Sequence, residues 1–129
     1  MMAQQESIDV PGLSHSVPIP LGCRMGPLLC SSGINGKDEQ SGQLSPDAPT
    51  QIECAFRNLQ SFLQAGGATV GHVAKLTVYL PDDAHRQLVN THWVALWPDE
   101  KHRPARHTLI YPLKHGMHVQ LEVIAYIGD

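Results

Sequence analysis

The chain has 129 residues, enough for one domain with a core of its own and too few for two. Charged residues make up only 16%, against the roughly 25% usual in soluble domains, so part of the surface is expected to be covered by copies of the same chain. Nine Lys and Arg against twelve Asp and Glu give a formal net charge of -3 without a basic stripe, which excludes nucleic acid as a partner.

Met1 to Val10 has neither the basic start nor the apolar stretch of a signal peptide, and no later segment approaches the roughly 18 apolar residues of a membrane span. A soluble, cytoplasmic protein without a membrane partner is expected. Residues 1–15 read as a loosely held arm ahead of a single domain. A first strand is predicted near Leu21–Met25, Gly26-Pro27 is a turn signal, and Leu28–Ser32 reads as a short buried strand, which together make a hairpin. From Gly33 to Pro49 the chain turns to Gly, Asn, Asp, Ser and Pro, a long exposed connection in which no packed element fits.

Ile52, Ala55, Phe56, Leu59, Phe62 and Leu63 recur at three- and four-residue steps and predict a helix over 48–65. Its start is either Thr50 with Glu53 as a capping box or Asp47, and Gly66-Gly67 supplies the stop. Val73–Leu80 alternates as a half-buried strand, with Ala74, Leu76, Val78 and Leu80 on one side and Lys75, Thr77 and Tyr79 on the other. Asp82-Asp83 can cap a second helix whose stripe is Leu88, Val89, His92, Trp93, Leu96 and Trp97. Arg106–Tyr111 and His118–Ile127 are the last strands. In the final one Val119, Leu121, Val123, Ala125 and Ile127 share one face, and His118, Gln120, Glu122, Ile124 and Tyr126 share the other. The order β-β-α-β-α-β-β predicts an α+β sandwich, two helices on one face of a mixed four- or five-stranded sheet. The other face, with Gln120 and Glu122, must then meet water or another subunit.

Several chemistries lack their pattern. Eight histidines invite a metal, but neither His115 with His118 nor His102 with His107 has a third ligand in register, so no metal site is predicted. Ser31 and Ser32 sit at a strand end without the G-x-S-x-G elbow of a Ser-His-Asp site. Cys23, Cys30 and Cys54 are an odd set without C-x-x-C, which opposes a disulfide framework and a zinc knuckle. Only Arg24 beside Cys23 hints at a lowered thiol pKa, and small buried hydrophobes are the expected role. Neither Gly33-Ile34-Asn35-Gly36 nor Gly66-Gly67 matches a phosphate-binding fingerprint. Arg106 stands apart. Fixed at the start of a strand, its five-donor fork suits bidentate capture of a carboxylate, and the competing reading is a surface salt bridge to Asp99 or Glu100.

The segments Ser31-Ser32-Gly33, Ala65-Gly66-Gly67-Ala68, Val73 to Leu80, Val89-Asn90, Arg103-Pro104-Ala105-Arg106 and Leu121 to Ala125, in that order and spacing, resemble the reactive intermediate deaminase (Rid, or YjgF-like) family from about residue 15 to the C-terminus. The resemblance implies a chorismate-mutase-like fold and a homotrimer with clefts between subunits. It also implies cofactor-free hydrolysis of reactive 2-imino or enamine acids to 2-oxo acids and ammonia. It places Arg106 on the arginine that grips the substrate carboxylate, Ser32 and Gly33 on the strand-end pair lining the pocket, and Asn90 on the nearby asparagine. Three positions depart from the deaminase pattern. Thr108 stands for an active-site Cys, Gln120 for the first Glu of the last strand, leaving Glu122 as the carboxylate of that face, and the region of Ile19 lacks a pocket Tyr. Glutamine cannot take a proton from water. Two readings therefore stay open: a deaminase using Arg106, Gln120 and Glu122, with a larger or differently shaped acid of the aminomuconate type as one candidate substrate, or a trimeric carboxylate-binding or regulatory protein without efficient hydrolysis.

Overall fold

A computed structural model describes residues 4–128. Its strands are β1 (Glu6–Ile8), β2 (Gly22–Met25), β3 (Leu28–Ser31), β4 (Ile34–Asn35), β5 (Val73–Leu80), β6 (Ala105–Ile110) and β7 (Gln120–Tyr126), and its helices are α1 (Ala48–Ala65) and α2 (Arg86–Leu96). They form the α+β fold expected, two helices on a mixed sheet. The sheet has seven strands rather than four or five, in the order β1-β2-β3-β7-β5-β6, with β4 also on β7.

The two extra strands come from segments read as unstructured. Three residues of the N-terminal arm pair with β2, Ile8 opposite Gly22 and Glu6 opposite Arg24, and Val10 and Leu13 behind them are buried. The stretch after Gly33 contains β4, which joins β7 through Ile34 opposite Leu121, with Ile34 only 1% exposed. β3 and β4 thus lie end to end along one side of β7, interrupted at Ser32-Gly33.

α1 buries the predicted stripe, Ile52, Ala55, Phe56, Leu59, Phe62 and Leu63, against Leu29, Leu76, Val78, Leu121, Val123 and Ala125 of the sheet. Each of the Val, Ile, Leu and Phe side chains contributes about 1.5–3 kcal/mol by leaving water. Asp47 is the N-cap, its carboxylate accepting from the Thr50 amide at 2.9 Å, and Gly67 supplies the left-handed residue after the helix (φ 84°). Gln51 is buried within this helix at 1% exposure. Its amide donates to the carbonyls of Ser45 and Gly116 and accepts from the His118 amide, tying both flanking loops to α1.

In β5 the alternation breaks. A register shift between Val73 and Lys75 leaves Ala74 exposed and not on the core side, while Val73 and Leu76 are both buried. A bulge of one residue is invisible to a period-two pattern. β5, α2 and β6 form a parallel crossover, which carries α2 back over the face that α1 covers. α2 buries its stripe less completely than predicted: only Val89 within it is fully buried, with Trp97 just beyond its end. Of the cysteines, Cys54 is buried, whereas Cys23 and Cys30 are half-buried cross-strand partners. They sit on the open face of the sheet, the face of Gln120, Glu122, Ile124 and Tyr126, not in the core.

Candidate functional site

Arg106 sits on the last strand of the sheet path, beside Leu76 of β5. Because Leu76 points into the core, the parallel register turns Arg106, and Thr108 two residues on, toward the helices. The guanidinium Nε donates to Thr108 Oγ1 at 2.9 Å, and Nη1 donates to the Asn90 side-chain oxygen at 2.8 Å. Trp93, one turn beyond Asn90 on α2, holds its ring 5.3 Å from the guanidinium carbon. Three of the expected residues, Arg106, Thr108 and Asn90, are therefore one cluster. Trp93 is its fourth member; its three-residue spacing from Asn90 is the available signal, but the same periodicity places the indole in the core stripe.

No carboxylate meets Arg106 among the described residues. Asp99 pairs with His102 at 2.9 Å, and the ion pair expected as the alternative does not form. Burial, and next the charge of Arg86, lowers the Arg106 pKa from its usual value, yet a guanidinium remains charged in any protein setting. The outcome is a half-buried cation held by neutral acceptors and an aromatic face, with Nη2 uncommitted within the described chain. Such a group is poised for an anion.

The remaining expected residues lie elsewhere. Ser32 donates its hydroxyl to the Pro20 carbonyl at 2.9 Å and its amide to Leu21, which anchors the break between β3 and β4. At that break Gly33 packs on the Gln120 side chain so closely that a Cβ would fall 1.7 Å from Gln120 Nε2. Glu122 lies on the open face of the sheet, level with Thr77 and, one strand further, with His107. Tyr79 shares this face with Glu122, and hydrogen bonding to that acid, then burial, raises the phenol pKa. Ser32, Gly33, Gln120 and Glu122 thus share the β7 side, on the sheet face opposite to Arg106. A single chain does not bring the two groups together.

Comparison with known proteins agrees with this architecture. A family model described as endoribonuclease L-PSP matches residues 20–127. The 2-iminobutanoate/2-iminopropanoate deaminase of Salmonella typhimurium is 26% identical over 110 residues, covering 84% of this chain and 86% of its own. A RutC family protein of Aquifex aeolicus is 25% identical over 114 residues, 84% of this chain and 91% of its own. The crystal structure of RidA from an Antarctic Psychrobacter superposes with a TM-score of 0.85 at 27% identity, over 95% of this chain and 99% of that one.

Proposed function

The chain belongs to the endoribonuclease L-PSP family, also called Rid or YjgF-like, and from that membership and the Arg106 cluster we propose that it hydrolyses reactive 2-imino acids to 2-oxo acids and ammonia. The observation that carries the reading is the half-buried guanidinium with an uncommitted nitrogen and no acid beside it among the described residues. Its fork takes the substrate carboxylate, and the Thr108 and Asn90 bonds fix the angle at which it does so.

The reaction asks little of the protein. Water adds to the C=N carbon of the protonated imine, gives up a proton, and the resulting carbinolamine expels ammonia as its C=O bond forms. The imine is already electrophilic, so holding the carboxylate and placing one water about 3 Å from the carbon supplies the rate gain through orientation. Neither a cofactor nor a covalent nucleophile enters the balance. Glu122 is the carboxylate able to accept the water's proton. Because it occupies the sheet face opposite to Arg106, the site is completed by two copies, Arg106, Thr108 and Asn90 from one and Ser32, Gly33, Gln120 and Glu122 from its neighbour. A homotrimer satisfies this with three equivalent sites.

A second reading is favoured by one observation, the carboxamide of Gln120 packed on Gly33. An amide there holds a ligand without activating water, as a carboxylate-binding regulatory protein would. Coupling to a threonine dehydratase with semicarbazide as trap separates the two. A deaminase lowers semicarbazone yield and speeds release of 2-oxobutanoate; correctly assembled protein that does neither overturns the deaminase reading.

A further inference from the structure

A hollow beside the candidate site carries a charge pattern that the hydrolysis of a simple imine does not use. A cavity of about 340 Å³ opens where Gly33 and Gln120 meet, walled by His15 and Ser16 of the N-terminal arm, Lys37 after β4, and His115 before β7. Three potential cations from three separate segments converge on it, and no Asp or Glu lines it. Lys37 forms no ion pair among the described residues. His115 closes the turn before β7 at a positive φ of 62°.

We infer that this cavity is a subsite for a second anionic group, the distal carboxylate of a 2-imino dicarboxylic acid. The volume falls at the lower end of the roughly 300–1,000 Å³ of small-molecule sites, more room than the side chain of a three- or four-carbon imino acid fills. Lys37 supplies the point charge, the Ser16 hydroxyl offers a short-range hydrogen bond, and the Gln120 carboxamide, borne by the same wall, can donate to the same group without the repulsion a glutamate would bring. The substitution that weakens water activation thus acquires a use in recognition. The identity of the reacting imine rests on the deaminase reading above; the preference for a doubly anionic ligand does not.

The test compares hydrolysis of the imines of glutamate and alanine, generated in place by amino-acid oxidases and followed with semicarbazide. The expected result is a kcat/KM at least tenfold higher for the dicarboxylic imine, with that ratio falling about tenfold in Lys37→Ala and largely kept in Lys37→Arg. A ratio near one, or one that Lys37→Ala leaves in place, overturns the subsite. If neither imine is hydrolysed, titration calorimetry with 2-oxoglutarate and 2-oxobutanoate decides separately. A tenfold tighter dicarboxylate, weakened by Lys37→Ala, upholds the subsite while the deaminase reading fails; equal affinities overturn the subsite.

Discussion

Replacing Arg106 by Ala removes the cation on which the functional reading depends, and its cost can be worked from the bonds the guanidinium makes and leaves free. Nε and one proton of Nη1 are engaged by Thr108 and Asn90, so the carboxylate meets Nη2 and the outward proton of Nη1. Two charge-assisted bonds at about 1.5–3 kcal/mol each, less what water returns to the freed carboxylate, give a loss near 3 kcal/mol. That corresponds to a fall of roughly 150-fold in kcat/KM. Arg106→Lys keeps a charge but not the planar fork and should lie between, at about tenfold. The fold should tolerate the truncation. Two hydrogen bonds and a cation-aromatic contact are lost, the desolvation of a half-buried charge is relieved, and the net change stays within about 1 kcal/mol. Semicarbazide-coupled kinetics, titration with 2-oxobutanoate, thermal melts and sedimentation check these together. Arg106→Ala that retains kcat/KM and oxo-acid affinity within threefold, in protein of native assembly, refutes the clamp.

Three further outcomes follow from the same geometry. Gln51→Ala strips two loop carbonyls and the His118 amide of their partner and should cost about 2–4 kcal/mol in a denaturant melt. Asp47 caps α1, and hydrogen bonds from the Thr50 hydroxyl and amide lower its carboxyl pKa below the ordinary value of 3.8. Its contribution is therefore complete above that value and lost as pH falls through the lower folded value, so the stability gap between the wild type and Asp47→Ala should close in acid titrations below about pH 4. Ile124→Glu puts a charge in the apolar stripe of the open face, where Ile124 is 42% exposed, and should give folded monomers with little hydrolysis; monomers of full activity would refute the two-copy site.

What the sequence made legible was whatever one local period governs. The α1 stripe and the two faces of β7 rest on spacing within a single element, the hairpin at Gly26-Pro27 on a local turn signal, and the structure reproduces them. β1 and β4 escaped because two or three residues carry no period; Ile34 is buried by Leu121, nearly ninety positions away, and nothing around it signals that partner. The Arg106 cluster was half legible. Its chemistry came from the side chain and its Asn90 contact only from resemblance, since a strand and a helix sixteen residues apart meet there through tertiary packing. His15, Lys37 and His115 were not legible at all, because three loops with no shared pattern build that wall.

The scarcity of charge and the proposed division of the site between copies would have one physical origin. Two helices cover one face of the seven-stranded sheet, and β7 and β3 leave the other face with Leu28, Ile124 and Tyr126, the last 59% exposed. Register makes these neighbours, Leu28 opposite Tyr126 and Cys30 opposite Ile124, so they form a continuous apolar band rather than scattered residues. Bands of this kind on a small domain mark interfaces. Glu122 shares the band's face and Arg106 the helix face at the sheet's outer strand. Association through the band can set the outer strand of one copy beside β7 of the next, whereas burying both groups in one chain would leave a charged pair inside the core at a desolvation cost of several kcal/mol. On the proposed reading, dividing the site between copies would avoid that cost and make hydrolysis conditional on assembly.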